Sequence, residues 1–259
     1  MTSLSVRRDY LALHRRLAVG RALAGAAAGL MPLPFVDDWL IEAVLGGAFK
    51  RIAADHHVDL DARAVKNLVH GRSKAASWFD VSASAIAGRL ATRGWQRALF
   101  ALTAVRRARA ASRIFATLTL FDHYCARTHT GLGLDGPRAL ELMDTIRQAI
   151  AETPGGLSFE PFRRGALAGA RTVARAPLEL ADRASGGRLR RLLGKGDEVP
   201  QAEAVDEIDR LVERELEATD GVLARAAAAV ELQLSADVNP FLDQAIERFD
   251  TLWRARSAS

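Results

Sequence analysis

Apolar residues recur at three- and four-residue spacing along almost the whole chain, which is the period of amphipathic helices. No run of β-branched residues alternates with polar ones over a strand's length, and no Asn-Gly or Asp-Gly pair joins two such runs. The pattern predicts an all-α, multi-helix bundle with a helical hairpin of small residues near its N-terminus.

The first helix is expected over Val6 to Met31, passing from charged residues into a stretch of Ala, Gly and Leu. Gly20, Ala24 and Ala28, with Gly25 and Gly29 beside them, leave room for a second helix to approach closely. Pro32 and Pro34 end that helix, because proline lacks the amide donor and pushes its predecessor out of the α region. Asp37 or Asp38 then caps a helix over Trp39 to His56, so Pro32, Pro34, Asp37 and Asp38 form the elbow of the hairpin.

Farther along, Asp61 is the N-cap of a third helix with Ala64, Val65, Leu68 and Val69 on its inner face, ending near Gly71. A link over Ser73 to Ser84 leads to helices at Ala85 to Arg93 and Trp95 to Cys125. Gly131 to Gly136 reads as a turn, and Pro137 suits the first position of a helix running to Glu152 with Leu140, Met143 and Ile146 inward. Thr153-Pro154-Gly155-Gly156 marks a boundary between an N-terminal core, 1–153, and a C-terminal helical segment, 158–259, that packs on it within one domain or as a second. Ser185 to Pro200 reads as an exposed link, Gln201 to Ala236 as one acidic helix, and Asn239-Pro240 as the start of a last helix with Phe241, Ala245, Ile246, Phe249 and Trp253 in one stripe.

Composition adds chemistry to this outline. The net charge of +5 and pI near 9.9 fit an anionic partner, although an arginine-rich, alanine-rich composition has the same effect without one. Residues 81–121 carry seven arginines and no acid, while 201–220 carry eight acids, and the two segments are candidates to pair with each other. Cys125 is the single cysteine, so no internal disulfide can form and buried packing is its expected role. Arg7-Arg8 resembles a twin-arginine export signal, but Arg15, Arg16 and Arg21 interrupt the apolar region such a signal needs. The longest uncharged run, Ala22 to Val36, is 15 residues against the ~20 a membrane-spanning helix requires.

Chemical motifs are sparse. Asp55-His56-His57 matches the short signature of a phosphoesterase superfamily without that superfamily's other motifs, and His56 and His57 diverge by about 100° on a helix, so they cannot share one ion. Cys125 and His129 share a helical face and His123 stands near them; a zinc site there would need His56 or Asp122 from elsewhere. Gly131-Leu-Gly133-Leu-Asp-Gly136 spells a dinucleotide-binding pattern but follows a helix where that mechanism needs a strand. Neither Arg106, Arg107, Arg109 and Arg113 nor the group around Arg190 has the interleaved aromatics of a single-strand nucleic-acid platform. No catalytic residue, cofactor or metal ligand is assigned on these grounds.

The segment Leu30-Met31-Pro32-Leu33-Pro34-Phe35-Val36-Asp37, followed by Phe49-Lys50-Arg51-Ile52-Ala53 and His57-Val58-Asp59-Leu60-Asp61, resembles the YcjF-type bacterial family, found with small GTPases, and the EcsC-type proteins. The resemblance implies a membrane-peripheral or partner-binding helical module, acting with a GTPase or a transporter component and without catalysis of its own. The leading expectation is therefore a non-enzymatic, cytoplasmic module peripheral to the inner membrane, whose Ala/Gly hairpin meets an apolar partner. Arg7, Arg8, Arg15, Arg16 and Arg21 would contact anionic headgroups. Two rival expectations are nucleic-acid binding through Arg106, Arg107, Arg109 and their neighbours in 81–121, and a hydrolase cleft at the elbow using Asp37, Asp38, His56 or His57. The oligomeric state is left open.

Overall fold

In the computed structural model, the described residues are 9–28, 36–71, 93–154, 161–162, 201–218, 221–236 and 240–257. Arg7, Arg8, Pro32, Pro34, the link 73–84, the helix proposed from Ala85 and the link 185–200 lie outside them. Of Asp37, Asp38, Arg106 and Arg107 only the backbone is described.

The described residues are overwhelmingly helical, as the periodicity predicts. They form α1 (Ala12–Ala28, preceded by a 3₁₀ turn at Asp9–Leu11), α2 (Val36–Asp55), α3 (Ala62–His70), α4 (Arg93–His123), α5 (Gly136–Glu152), α6 (Gln201–Glu217), α7 (Val222–Ala236) and α8 (Phe241–Ser257). Two short strands, β1 (Asp59–Leu60) and β2 (Gly133–Leu134), pair in parallel with Asp59 opposite Gly133 and Leu60 opposite Leu134.

Capping chemistry sets several boundaries where the sequence puts them. Asp61 accepts the Ala64 amide and Asp135 accepts the Arg138 amide at 2.8 Å, so each carboxylate satisfies a donor that the first helical turn cannot. Ala64, Val65, Leu68 and Val69 are buried, and so are Met143 and Ile146 of α5, with Leu140 half-buried. The continuous helix expected over Gln201 to Ala236 is instead two, because the chain turns at Gly221. A side chain there would strike the carbonyl of Glu215, so the turn admits glycine alone.

One apolar cluster runs from Ala18 to Trp253. α1 lies at its centre, packed on α2, α4 and α7, while α6 covers α2 and α8 covers α5 and α4. Ala18, Val19, Ala22, Leu23 and Ala26 of α1 and Ala43, Val44, Leu45, Ala48 and Phe49 of α2 are buried. The hairpin's described inner faces are thus packed inside the protein against its own helices. No helix among the described residues is long and apolar enough to cross a membrane.

Arg21 corrects one expectation. It is 1% exposed, donates to Asp209 of α6 and reaches the Val44 carbonyl at 3.4 Å, so its charge is neutralised internally and cannot meet a headgroup. Gly47 makes the approach of α6 possible, because a methyl group there would occupy the space of the Asp209 carboxylate. The acids of 201–220 therefore meet arginines of the hairpin: Asp209 pairs with Arg21, and Glu213 lies 3.7 Å from Arg51. Arg109 and Arg113 are exposed.

A candidate metal centre

α2 ends in a chain reversal that aims one histidine inward and the next outward. The His57 amide donates to Ala54 O at 3.0 Å and the Val58 amide to Ala53 O at 2.8 Å, the paired bonds of a Schellman cap. His57 takes the left-handed conformation (φ +58°) that glycine normally occupies at this position. His57 is exposed, Val58 is buried, and His56 is left half-buried at the helix terminus.

α4 ends equally irregularly, in a π-turn over Tyr124–Thr128 closed by the His129 amide donating to Tyr124 O at 2.8 Å. The β1–β2 pair, with the Asp59 amide on Leu132 O at 2.7 Å, then binds the exit of α2 to the exit of α4. That tie holds His56 and Asp122 face to face. α1 runs between the two helices and contributes His14.

Three side chains converge as a result. His56 Nε2 lies 2.6 Å from Asp122 Oδ1, and His14 Nδ1 lies 3.0 Å from the same oxygen. His14 is 4% exposed and Asp122 2%, and one ligand atom from each of His14, His56 and Asp122 lies within 4.8 Å of the others. In a tetrahedral site with metal bonds near 2.0–2.1 Å, neighbouring ligand atoms stand about 3.3 Å apart, so small side-chain adjustments would bring these three onto one ion.

The second nitrogen of His14 has a defined role in the same arrangement. His14 Nε2 lies 3.0 Å from Asp55 Oδ2, and Arg51 Nε holds that same carboxylate oxygen at 3.4 Å. Histidines that bind metal through one nitrogen usually donate the other N–H to a carboxylate, which orients the ring and increases its basicity. Without an ion, both His14 nitrogens face carboxylates, which favours the protonated ring. Burial lowers the His14 pKa, but hydrogen bonds to Asp122 and Asp55 and the charge of both carboxylates outweigh it, so the net shift is upward.

A second polar chain abuts the first. Tyr10 Oη lies 2.6 Å from His123 Nδ1, and His123 Nε2 lies 2.8 Å from Asp250 Oδ1 of α8. Its members neighbour the cluster in sequence, since Tyr10 precedes His14 by one helical turn and His123 follows Asp122. Arg127 lies over the Tyr10 ring, 4.8 Å from its centroid.

No family model, curated protein or solved structure matches this chain.

The residues singled out by sequence thus separate. His123, Cys125 and His129 do not converge: His123 joins Tyr10 and Asp250, His129 Nδ1 lies 3.1 Å from the Tyr124 hydroxyl, and Cys125 is buried with burial pushing its thiol pKa well up. His129 itself is held below its ordinary pKa by burial and by the Arg138 charge. Gly131 to Gly136 connects α4 to α5 through β2, with Gly131 at φ +112°. Arg16 is exposed and Arg15 half-buried on α1. His56 stands at the end of α2 opposite the elbow, and a helix of this length spans about 30 Å, so Asp37 and Asp38 cannot share a cleft with it.

Sequence reasoning offered His56 and Asp122 only as an added ligand for Cys125 and His129, or His56 with the elbow acids, and it did not bring in His14. The actual partners are His14 and Asp122, at sequence distances of 42 and 66. The one available signal was a pair of Asp-His doublets, Asp55-His56 and Asp122-His123, each at the C-terminal end of a long helix.

Proposed function

We propose that this chain is a helical metalloprotein that binds one first-row divalent ion through His14, His56 and Asp122, with Asp55 orienting His14. The observation that carries the reading is the convergence of His14 Nδ1 and His56 Nε2 on Asp122 Oδ1 while His14 Nε2 rests on Asp55. Two imidazoles and a carboxylate suit zinc, iron, cobalt or manganese better than calcium or magnesium, which favour all-oxygen shells. Three protein ligands leave at least one position for water or another ligand, as in reactive centres and unlike closed structural ones. A bound ion there would act as a Lewis acid towards that exchangeable ligand.

The test is metal analysis of the full chain after dialysis against chelator and reloading with zinc, cobalt or manganese. One tightly held ion per chain is expected, lost in His14→Ala, His56→Ala and Asp122→Ala variants that keep the parent helical circular dichroism. Wild-type protein that retains no ion under any loading condition removes the reading.

A second reading is a peripheral contact with an anionic surface, which Leu13 and Arg16 support: Leu13 is 73% exposed and Arg16 is exposed on the outer face of α1, just after Arg7 and Arg8 in sequence. It requires sedimentation with anionic vesicles that weakens in Leu13→Ser and Arg16→Gln variants. Equal recovery with neutral and anionic vesicles would dismiss it.

A further inference from the structure

A cavity of about 50 Å³ lies between α1 and α4, and His14 and Asp122 are among the residues that line it. Its apolar walls come from Leu11 of the 3₁₀ turn before α1, Ala18 of α1, Phe115 and Leu118 of α4, and Leu242 of α8. These residues follow helical spacing on each partner, so the cavity is a gap in the α1–α4 interface itself. Two of the three side chains of the metal cluster, His14 and Asp122, line it and His56 does not, so the cluster borders the cavity.

Size and polarity restrict what fits. On the same scale one water needs about 10–15 Å³, so the space holds about four non-hydrogen atoms, the carbon skeleton of a short acid whose two oxygens would sit at the metal and Arg15. Thr119 also lines the cavity, but its hydroxyl donates to Phe115 O at 2.9 Å within its own helix. Arg15 lines it too, half-buried, with no ion-pair partner among the described residues. A divalent ion with the Asp122 carboxylate leaves one positive charge, and the Asp55 carboxylate is already engaged by Arg51 and His14. A single negative charge on the ligand therefore neutralises the ion and Asp122 together, and Arg15 adds a further positive charge beside it.

We propose that the exchangeable position takes the carboxylate of a short aliphatic acid, of about two to four carbons, with its alkyl chain between Leu11, Ala18, Phe115, Leu118 and Leu242. This inference rests on the metal reading above. Phosphate fits less well, because it would bring further charged oxygens against apolar walls that offer no hydrogen bonds. An acid places its polar end on the metal and Arg15 and its apolar end in the cavity.

The experiment uses the full chain loaded with cobalt(II), whose visible absorption reports changes in its ligands, with cobalt stoichiometry measured on the same sample. Acetate, propionate, butyrate, hexanoate and inorganic phosphate are titrated in turn. Affinity should rise about fourfold per added methylene as far as butyrate and fall at hexanoate, with phosphate weaker than butyrate. Arg15→Gln should weaken all the acids together, and Leu242→Trp, which fills the cavity, should abolish the preference for longer chains. Bound cobalt with a flat response along the acid series, or with phosphate strongest, overturns this inference and leaves the metal reading standing. Failure to bind cobalt overturns both. The wild-type series decides the matter even if either variant does not fold.

Discussion

His14 Nδ1 lies 3.0 Å from Asp122 Oδ1 although 108 residues separate the two in the chain. The contact joins the helix at the centre of the core to the C-terminal end of α4, and the same oxygen also meets His56. Each of these groups is costly to bury alone and is tolerated because the others neutralise it.

The roles of the two acids separate by variant. Asp122→Ala removes a ligand and should abolish zinc retention, whereas Asp55→Asn leaves the ligands in place and should weaken zinc about 10- to 100-fold. Competition with a chromophoric chelator measures both. Equal losses would mean that Asp55 is itself a ligand.

In chelated protein His14 sets a pH dependence of known sign. Its folded pKa is raised above the ordinary 6.5, so the folded state holds the proton more tightly than the unfolded state. The stabilisation is complete below about pH 6.5 and is lost as pH rises through the folded pKa. Urea midpoints between pH 5.5 and 9 should fall over that upper range in wild type, and His14→Gln should flatten this component.

Cys125 is buried, and burial together with the Asp122 charge raises its thiol pKa far above the ordinary range. Thiol reagents at pH 7.5 should label it slowly in native protein and promptly in urea. Rapid native labelling would show that the end of α4 opens readily.

His57 occupies a left-handed position that costs a non-glycine residue about 1 kcal/mol. His57→Gly should raise stability by up to about that amount, visible as an increase in Tm, provided that the exposed imidazole makes no compensating contact. A decrease would indicate that the ring itself holds the turn.

Asp209→Ala leaves the Arg21 guanidinium buried without its carboxylate. The expected destabilisation is about 3 kcal/mol, at the lower end for buried pairs because Asp209 is partly reached by solvent. Double replacement with Arg21→Met should recover much of the loss in denaturant titrations. No recovery would mean that Asp209 stabilises α6 by another contact.

Local chemistry by itself determined most of the helices. Period, proline, and the caps Asp61 and Asp135 are short-range signals, and the inner faces of α3 and α8 follow from them because an apolar stripe must be buried somewhere. The break at Gly221 escaped because its necessity lies in a carbonyl six residues earlier, Glu215, which no periodic pattern exposes. Tertiary structure alone decided what the polar residues do. It turned Arg21 from a surface anchor into a buried partner of Asp209, and it enclosed the small-residue faces of the hairpin between neighbouring helices. It also brought His14, His56 and Asp122 together from three helices. Each of these three is unremarkable in its own segment, since a metal cluster built across helices depends on how the helices cross and on the β1–β2 tie between their ends, and neither leaves a local mark in the sequence.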